Sequence, residues 1–382
     1  MQKSNSKSLR HRLNPVDSSL GFLGAILALF GASFVFEFIV ILINFNEYLA
    51  DPDNITLIMS APWFLILSSI ITQGALLGFC ILLCKIRHVN FAKAAAINQK
   101  LSLWVIIIIP LLSLFLIMSN TPLLVTADKI FQTIKYTVPD LPIDQLMSSP
   151  LGIIAVIITT CVLPAICEEF VFRGLVLQGL ASRFKPFTAI ILSAFAFSMM
   201  HMSPAQTVHQ FILGITLGYV VLTAKSVWAG VLLHFFNNFW AVIGTITQNY
   251  GFGALLIENT TFIYISAVFF AIIGLAIFFL SFDFAAKKQK DSIFIQAISK
   301  FSNSEKVKRY RINYDVIVAP FYKVFDAGTN MFVEQPISSE EYKIFAHQKE
   351  IKHRRVFIAL MCIAFGICIA MWIFSLVTGM ML

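Results

Sequence analysis

The stretch LGIIAVIITTCVLPAICEEFVFRGLVLQGL, Leu151 to Leu180, is apolar along nearly its whole length, yet its second half carries Glu168, Glu169 and Arg173. A bilayer core of roughly 30 Å is crossed by about 20 mostly apolar helical residues. This run is therefore long enough to span. An ionisable group near the centre of a span costs about 2.5–3.5 kcal/mol on insertion scales, so these three charges call for partners or for a task. Residues four apart on a helix lie within roughly 40° of one another, which lets Glu169 and Arg173 pair. Glu168 lies about 140° from Arg173, on a different side. Glu168 is thus the chemical candidate, and Glu169 with Arg173 the brace.

The rest of the chain fits such a setting. Of 382 residues, 58% are hydrophobic and 13% charged, and Phe alone occurs 38 times, a balance far from that of a soluble domain. Apolar runs recur at Leu20–Asn44, Ile58–Cys84, Leu101–Met118, Leu151–Leu180, Phe187–Met202, Val208–Thr223, Val227–Thr247, Phe262–Phe282 and Val356–Leu382. They lack the period-two alternation of barrel strands, so the expected fold is an all-α polytopic bundle of about nine transmembrane helices. The segments are 1–150 with the first three helices, 151–247 with helices four to seven, 248–282 with the eighth, a basic insert at 283–355 and a last helix at 356–382. The first run is too long for a signal-peptide h-region and reads as a retained span.

Connections at Lys3–Arg12, Lys85–Lys100, Arg183–Lys185, Lys225 and Lys287–Arg355 are basic, which places the amino terminus in the cytoplasm by the positive-inside rule. The formal charge of +8 is this topological signal, and no nucleic-acid partner is expected. The partners expected are membrane lipids. Within the insert, Tyr314–Ala319 and Tyr322–Phe325 are β-prone and Asp326–Ala327–Gly328 is a turn signal, compatible with a small hairpin or with a basic linker near anionic headgroups. All six cysteines fall in apolar segments, where thiols behave as small hydrophobes.

Three further polar sites stand in apolar runs. His201 ends Phe197–Ser198–Met199–Met200–His201, and His201 and Glu168 lie almost equally far along the chain from the basic turn at Phe184–Lys185. An antiparallel hairpin sets them level, as a carboxylate and an imidazole that hold one water must be. His234 and Asn238, four apart in Val227–Thr247, share a helix face and can both donate to one oxygen, with Asn237 nearly as well placed. Glu37 in the first run reads as an interhelical hydrogen-bonding group. A buried set able to bind a water, activate it and stabilise an oxyanion meets the requirements of hydrolysis.

These segments resemble the signature of the CPBP family, the CAAX-protease and bacteriocin-processing enzymes, also called Abi proteins. The pattern Glu-Glu-x-x-x-Arg, Phe-x-x-x-His, His-x-x-x-Asn reads here as Glu168, Glu169 and Arg173; Phe197 and His201; His234 and Asn238. The resemblance covers roughly Leu151 to Thr247 and thins outside it. It implies an intramembrane peptidase, often called a metalloprotease, that cleaves a hydrophobic or lipidated peptide or protein. Glu168 and His201 then bind and activate the water, His234 and Asn238 form the oxyanion hole, and Glu169 and Arg173 give structural support. Glu168, His201 and His234 could hold Zn²⁺, or the site could hold only a water. The family's bacterial abundance favours a bacterial cell membrane. Two other readings compete: a thiol protease using Cys167 or Cys161 with His201, and a non-hydrolytic transport, immunity or binding protein built on the same polar cluster.

Overall fold

A computed structural model of the chain describes residues 13–51, 53–136, 146, 149–247, 264–274, 276, 321–326, 331–336 and 339–381. Among the described residues the main helices are α1 Pro15–Ile43, α2 Pro62–Ile86, α3 Leu103–Thr133, α4 Pro150–Ala181, α5 Pro186–Met200, α6 Thr207–Ala224, α7 Val227–Thr247, α8 Tyr264–Gly274 and α9 Ser339–Met381. Among the described residues seven of these, all except α5 and α8, are long and apolar enough to cross a membrane. The fold is an all-α membrane bundle, as expected. The expected fifth and eighth spans appear as the shorter apolar helices α5 and α8, and part of the eighth lies outside the described residues.

Helix starts follow local chemistry. Proline occupies the first position of α1, α2, α4 and α5, where its missing N–H costs nothing. Asn14 and Asp17 form a reciprocal capping box at the start of α1, and Arg87 clasps the buried Asp17 at 2.7 Å.

Three expectations need correction. Helix α3 continues past Met118 through Ser119–Asn120–Thr121–Pro122 to Thr133. The hydroxyls of Ser119, Thr121 and Thr126 donate back to the carbonyls of Leu116, Ile117 and Pro122, so a polar run that reads as a break stays helical. Helix α9 starts well before Val356, because the polar stretch from Ser339 is helical too. Among the described residues Glu37 accepts from Ser33 of its own helix at 2.6 Å rather than from a neighbouring one. In the insert, β1 Phe321–Asp326 pairs antiparallel with β2 Met331–Pro336, so Tyr322–Phe325 is strand, while Tyr314–Ala319 and the basic clusters lie outside the described residues.

Helix α4 positions the polar residues, and it is not a uniform α-helix. Ile157–Val162 and Phe170–Val176 are wound as π-helix, a form frequent at functional sites. In lipid every backbone polar group needs a partner within the protein, and in these two segments side chains of other helices supply it. Ser18 of α1 donates to Val176 O at 2.8 Å, Ser193 of α5 to Phe172 O at 3.2 Å, and Asn238 of α7 to Thr160 O at 2.7 Å. The last has a cause legible in the residues. Pro164, four residues beyond Thr160, has no N–H to return.

The core lies between α1, α4, α5 and α6, with Phe22, Phe172, Leu175, Phe197 and Leu217 fully buried. Gly21 and Gly179 permit the close approach of α1 and α4, since a Cβ on either would collide with Leu175 or Ser18. Helix α9 packs outside α1 and α5, where Phe365 meets Phe22 and Phe195.

Candidate active site at the meeting of four helices

The neighbouring carboxylates Glu168 and Glu169 point to different partners because consecutive helical residues are rotated by about 100°. Glu169 is fully buried, and its Oε1 receives both Arg173 Nη1 at 2.8 Å and His234 Nδ1 at 3.1 Å. Arg173, also fully buried, donates from Nη2 to Gly214 O at 3.3 Å and lays its guanidinium 4.1 Å from the centre of the Phe197 ring. Desolvating such a pair is costly unless further contacts compensate. Here a carbonyl, an imidazole and an aromatic face do so. Gly230 of α7 lets Glu169 come close, because a Cβ there would lie 2.6 Å from Oε2.

Glu168 has no arginine on it. Its Oε1 accepts from Gln73 Nε2 of α2 at 3.1 Å, while Oε2, without a hydrogen-bond partner among the described residues, lies 3.9 Å from His201 Nε2. His201 caps the end of α5, and its Nδ1 is 2.9 Å from Phe197 O. A carbonyl only accepts, so Nδ1 carries the proton, and in its neutral form the ring turns the lone pair of Nε2 toward Glu168. Two acceptors thus face each other across a distance that a water spans by donating both of its hydrogens. The next residue, Met202, adopts φ of 51°, a left-handed conformation that turns the chain sharply after His201.

Phe197 ties the halves together. Its ring packs edge-on against Phe172, His201 and His234, with centroids 5.4, 4.8 and 5.8 Å away, besides carrying the Arg173 guanidinium. Glu168 meets His201, Glu169 meets Arg173 and His234, and Phe197 lies against both rings, whereas Asn238 is joined to Thr160 and Asn237. One of its amide hydrogens goes to Thr160 O, and its Oδ1 receives Asn237 Nδ2 at 3.3 Å. The second hydrogen of Asn238 is the one left for another oxygen.

Sequence reasoning passed over Gln73, Thr160 and Gly230. Gln73 carried a usable signal: a long amide inside the apolar run Ile58–Cys84 has to find a partner. Cys161 and Cys167 are buried among apolar side chains, and among the described residues neither thiol hydrogen-bonds a histidine, so the geometry gives the thiol reading no base.

A catalytic zinc takes three protein ligands. Glu168 and His201 face each other, but among the described residues no group of three or more His, Cys, Asp or Glu side chains is placed to hold a metal. Among the described residues Glu168, His201 and His234 are not brought together as such a set. The donor set as placed does not fit such a metal.

Four helices thus surround a buried carboxylate–imidazole pair in a multi-pass membrane protein. Residues 150–240 match the family model described as type II CAAX prenyl endopeptidase Rce1-like, and this match supports the CPBP, or CAAX-protease, family. That family is one of proteases, which supports an enzyme acting on a peptide. No curated protein and no solved structure matches the chain significantly.

Proposed function

We propose that the chain is an intramembrane endopeptidase that hydrolyses a peptide bond of a membrane-associated protein or lipidated peptide. The observation that carries this reading is the pair of facing acceptors, Glu168 Oε2 and His201 Nε2, 3.9 Å apart. A water donating to both keeps its lone pairs for the carbonyl carbon. Glu168 takes the water's proton as the new C–O bond forms, and His201 holds the oxygen in line. The oxyanion is met by His234 and by the remaining amide hydrogen of Asn238. Because His234 gives its Nδ1–H to Glu169, donation from Nε2 requires the doubly protonated ring, and Glu169 supplies the counter-charge. Glu168 then passes its proton to the leaving nitrogen as the C–N bond breaks. The basic connections support an amino terminus on the cytoplasmic side.

The purified protein is expected to cut a hydrophobic peptide bearing a lipid near its carboxyl end, equally well with and without chelator. Glu168→Gln, His201→Ala and His234→Ala each slow cleavage by about 10²–10⁴-fold while retaining the wild-type gel-filtration profile. Undiminished cutting by all three variants refutes the assignment. Peptide binding by the wild type without hydrolysis refutes it too, in favour of a binding or transport protein.

A further inference from the structure

The structure assigns a role to a residue of α2 that lies outside the family-matched segment. We propose that Gln73 is the positioning residue of Glu168: its amide holds Oε1 so that Oε2 alone is presented to the water and His201. This rests on the peptidase reading above. Gln73 is buried, 95 residues away along the chain, and its Nε2 donates to Glu168 Oε1 at 3.1 Å. Turned the other way, the amide would set its own oxygen against the carboxylate oxygen, two acceptors face to face, so the amide nitrogen is the end aimed at Oε1. One oxygen anchored and one free is what a general base needs: the carboxylate cannot rotate away, and the oxygen that takes the proton is fixed.

The arrangement has a cost that a purely structural role does not explain. Among the described residues Gln73 Oε1 is buried without a protein hydrogen-bond partner, and an amide oxygen held so is destabilising. An apolar side chain of similar length would remove it. Gln73 therefore weakens packing in order to hold one carboxylate oxygen, and stability and function should respond to its loss in opposite directions.

Gln73→Met, which removes both polar atoms at little change in volume, tests this. Thermal stability is expected to equal or exceed that of the wild type, while kcat falls about ten- to a hundredfold at unchanged KM, the loss typical for a group that orients a reacting ligand. The other charged or titratable groups around Glu168, namely Cys167, Glu169 and Arg173 on α4, His201 on α5 and His234 on α7, are the same in both proteins. Gln73→Asn, which keeps the amide on a shorter stem, recovers part of kcat.

An activity-independent readout separates this inference from the reading it rests on. Infrared difference spectroscopy follows the carboxylate band that disappears in Glu168→Gln, and its frequency shifts in Gln73→Met, where Oε1 has lost its hydrogen bond. An unmoved band together with a wild-type kcat overturns the role of Gln73 and leaves the peptidase intact. A moved band in a protein that never cleaves overturns the peptidase and leaves the Gln73–Glu168 linkage standing.

Discussion

Glu168 and Glu169 are adjacent in sequence and nearly equal in burial, yet their surroundings differ in kind. Around Glu169 the partners are cationic or fixed: the Arg173 guanidinium at 2.8 Å, the His234 ring at 3.1 Å and the backbone of Gly230. Around Glu168 they are neutral, an amide on one oxygen and, facing the other, a lone pair of imidazole. The difference teaches that a carboxylate bound to a permanent cation is held as part of the scaffold, whereas one held by a single neutral donor keeps an oxygen for chemistry. Both sit on one helix turn, so rotation turns Glu169 toward Arg173 of its own helix, and the neighbouring helices complete the contrast: α7 on one side, α2 and the end of α5 on the other.

The sharpest way to break this comparison is to neutralise each glutamate in turn. Glu169→Gln strands a fully buried guanidinium and is expected to cost about 3–5 kcal/mol, seen as a large fall in melting temperature or in yield. Adding Arg173→Met to that variant should recover much of the loss, because a buried pair replaced by apolar groups is often no less stable. Glu168→Gln should leave the melting temperature nearly unchanged while removing activity. Equal thermal shifts for the two single variants would abolish the distinction between scaffold and chemistry.

A smaller effect tests how tightly the scaffold side is built. In Gly230→Ala the new Cβ would lie 2.6 Å from Glu169 Oε2 and 2.7 Å from Val221 Cγ2, so the carboxylate or α7 has to move. Overpacking of this kind costs about 1–3 kcal/mol. The displaced Glu169 carries His234 with it, so kcat should fall along with stability. A variant as stable and active as the wild type would mean that Glu169 does not rest on α7.

Much of this was legible in the sequence, for reasons that are local. Hydrophobic runs of spanning length fix the all-α class, and the four-residue spacing of Glu169 and Arg173 fixes their pairing, because both depend only on helix geometry. The split between Glu168 and Glu169 follows from the same rotation. What could not be read depends on which helix faces which. Nothing in α2 says that Gln73 meets α4 rather than another neighbour. The π winding of α4 leaves the apolar pattern intact and so gives no signal, although Pro164 does mark Thr160 O as a carbonyl in need of a donor. The expectation that His234 and Asn238 donate to one oxygen used the shared face correctly but did not allow for that carbonyl. The expected break after Met118 failed because serine and threonine hydroxyls can satisfy themselves within a helix.

The finest test concerns the Glu168 side and what keeps His201 in place. His201 ends α5, and the turn that follows is closed by hydrogen bonds centred on Thr207: Ser198 Oγ donates to Thr207 O at 2.6 Å, and Thr207 Oγ1 donates to Ser203 O at 2.8 Å. Trp372 of α9 reaches in from outside and donates from Nε1 to Thr207 Oγ1 at 2.9 Å. A hydroxyl has one hydrogen to give and lone pairs to accept with, so the two bonds at Thr207 Oγ1 support each other. Trp372→Phe keeps the aromatic packing and removes only the donor, for a net effect of about 1 kcal/mol. If the turn holds His201 at the distance the water requires, kcat falls about fivefold with KM unchanged. Thr207→Val should produce a similar loss, and the double variant should be no worse than Thr207→Val alone, because both changes act on one linkage. Strict additivity of the two losses would show that α9 and the His201 turn act separately. The C-terminal helix would then support the bundle without bearing on its chemistry.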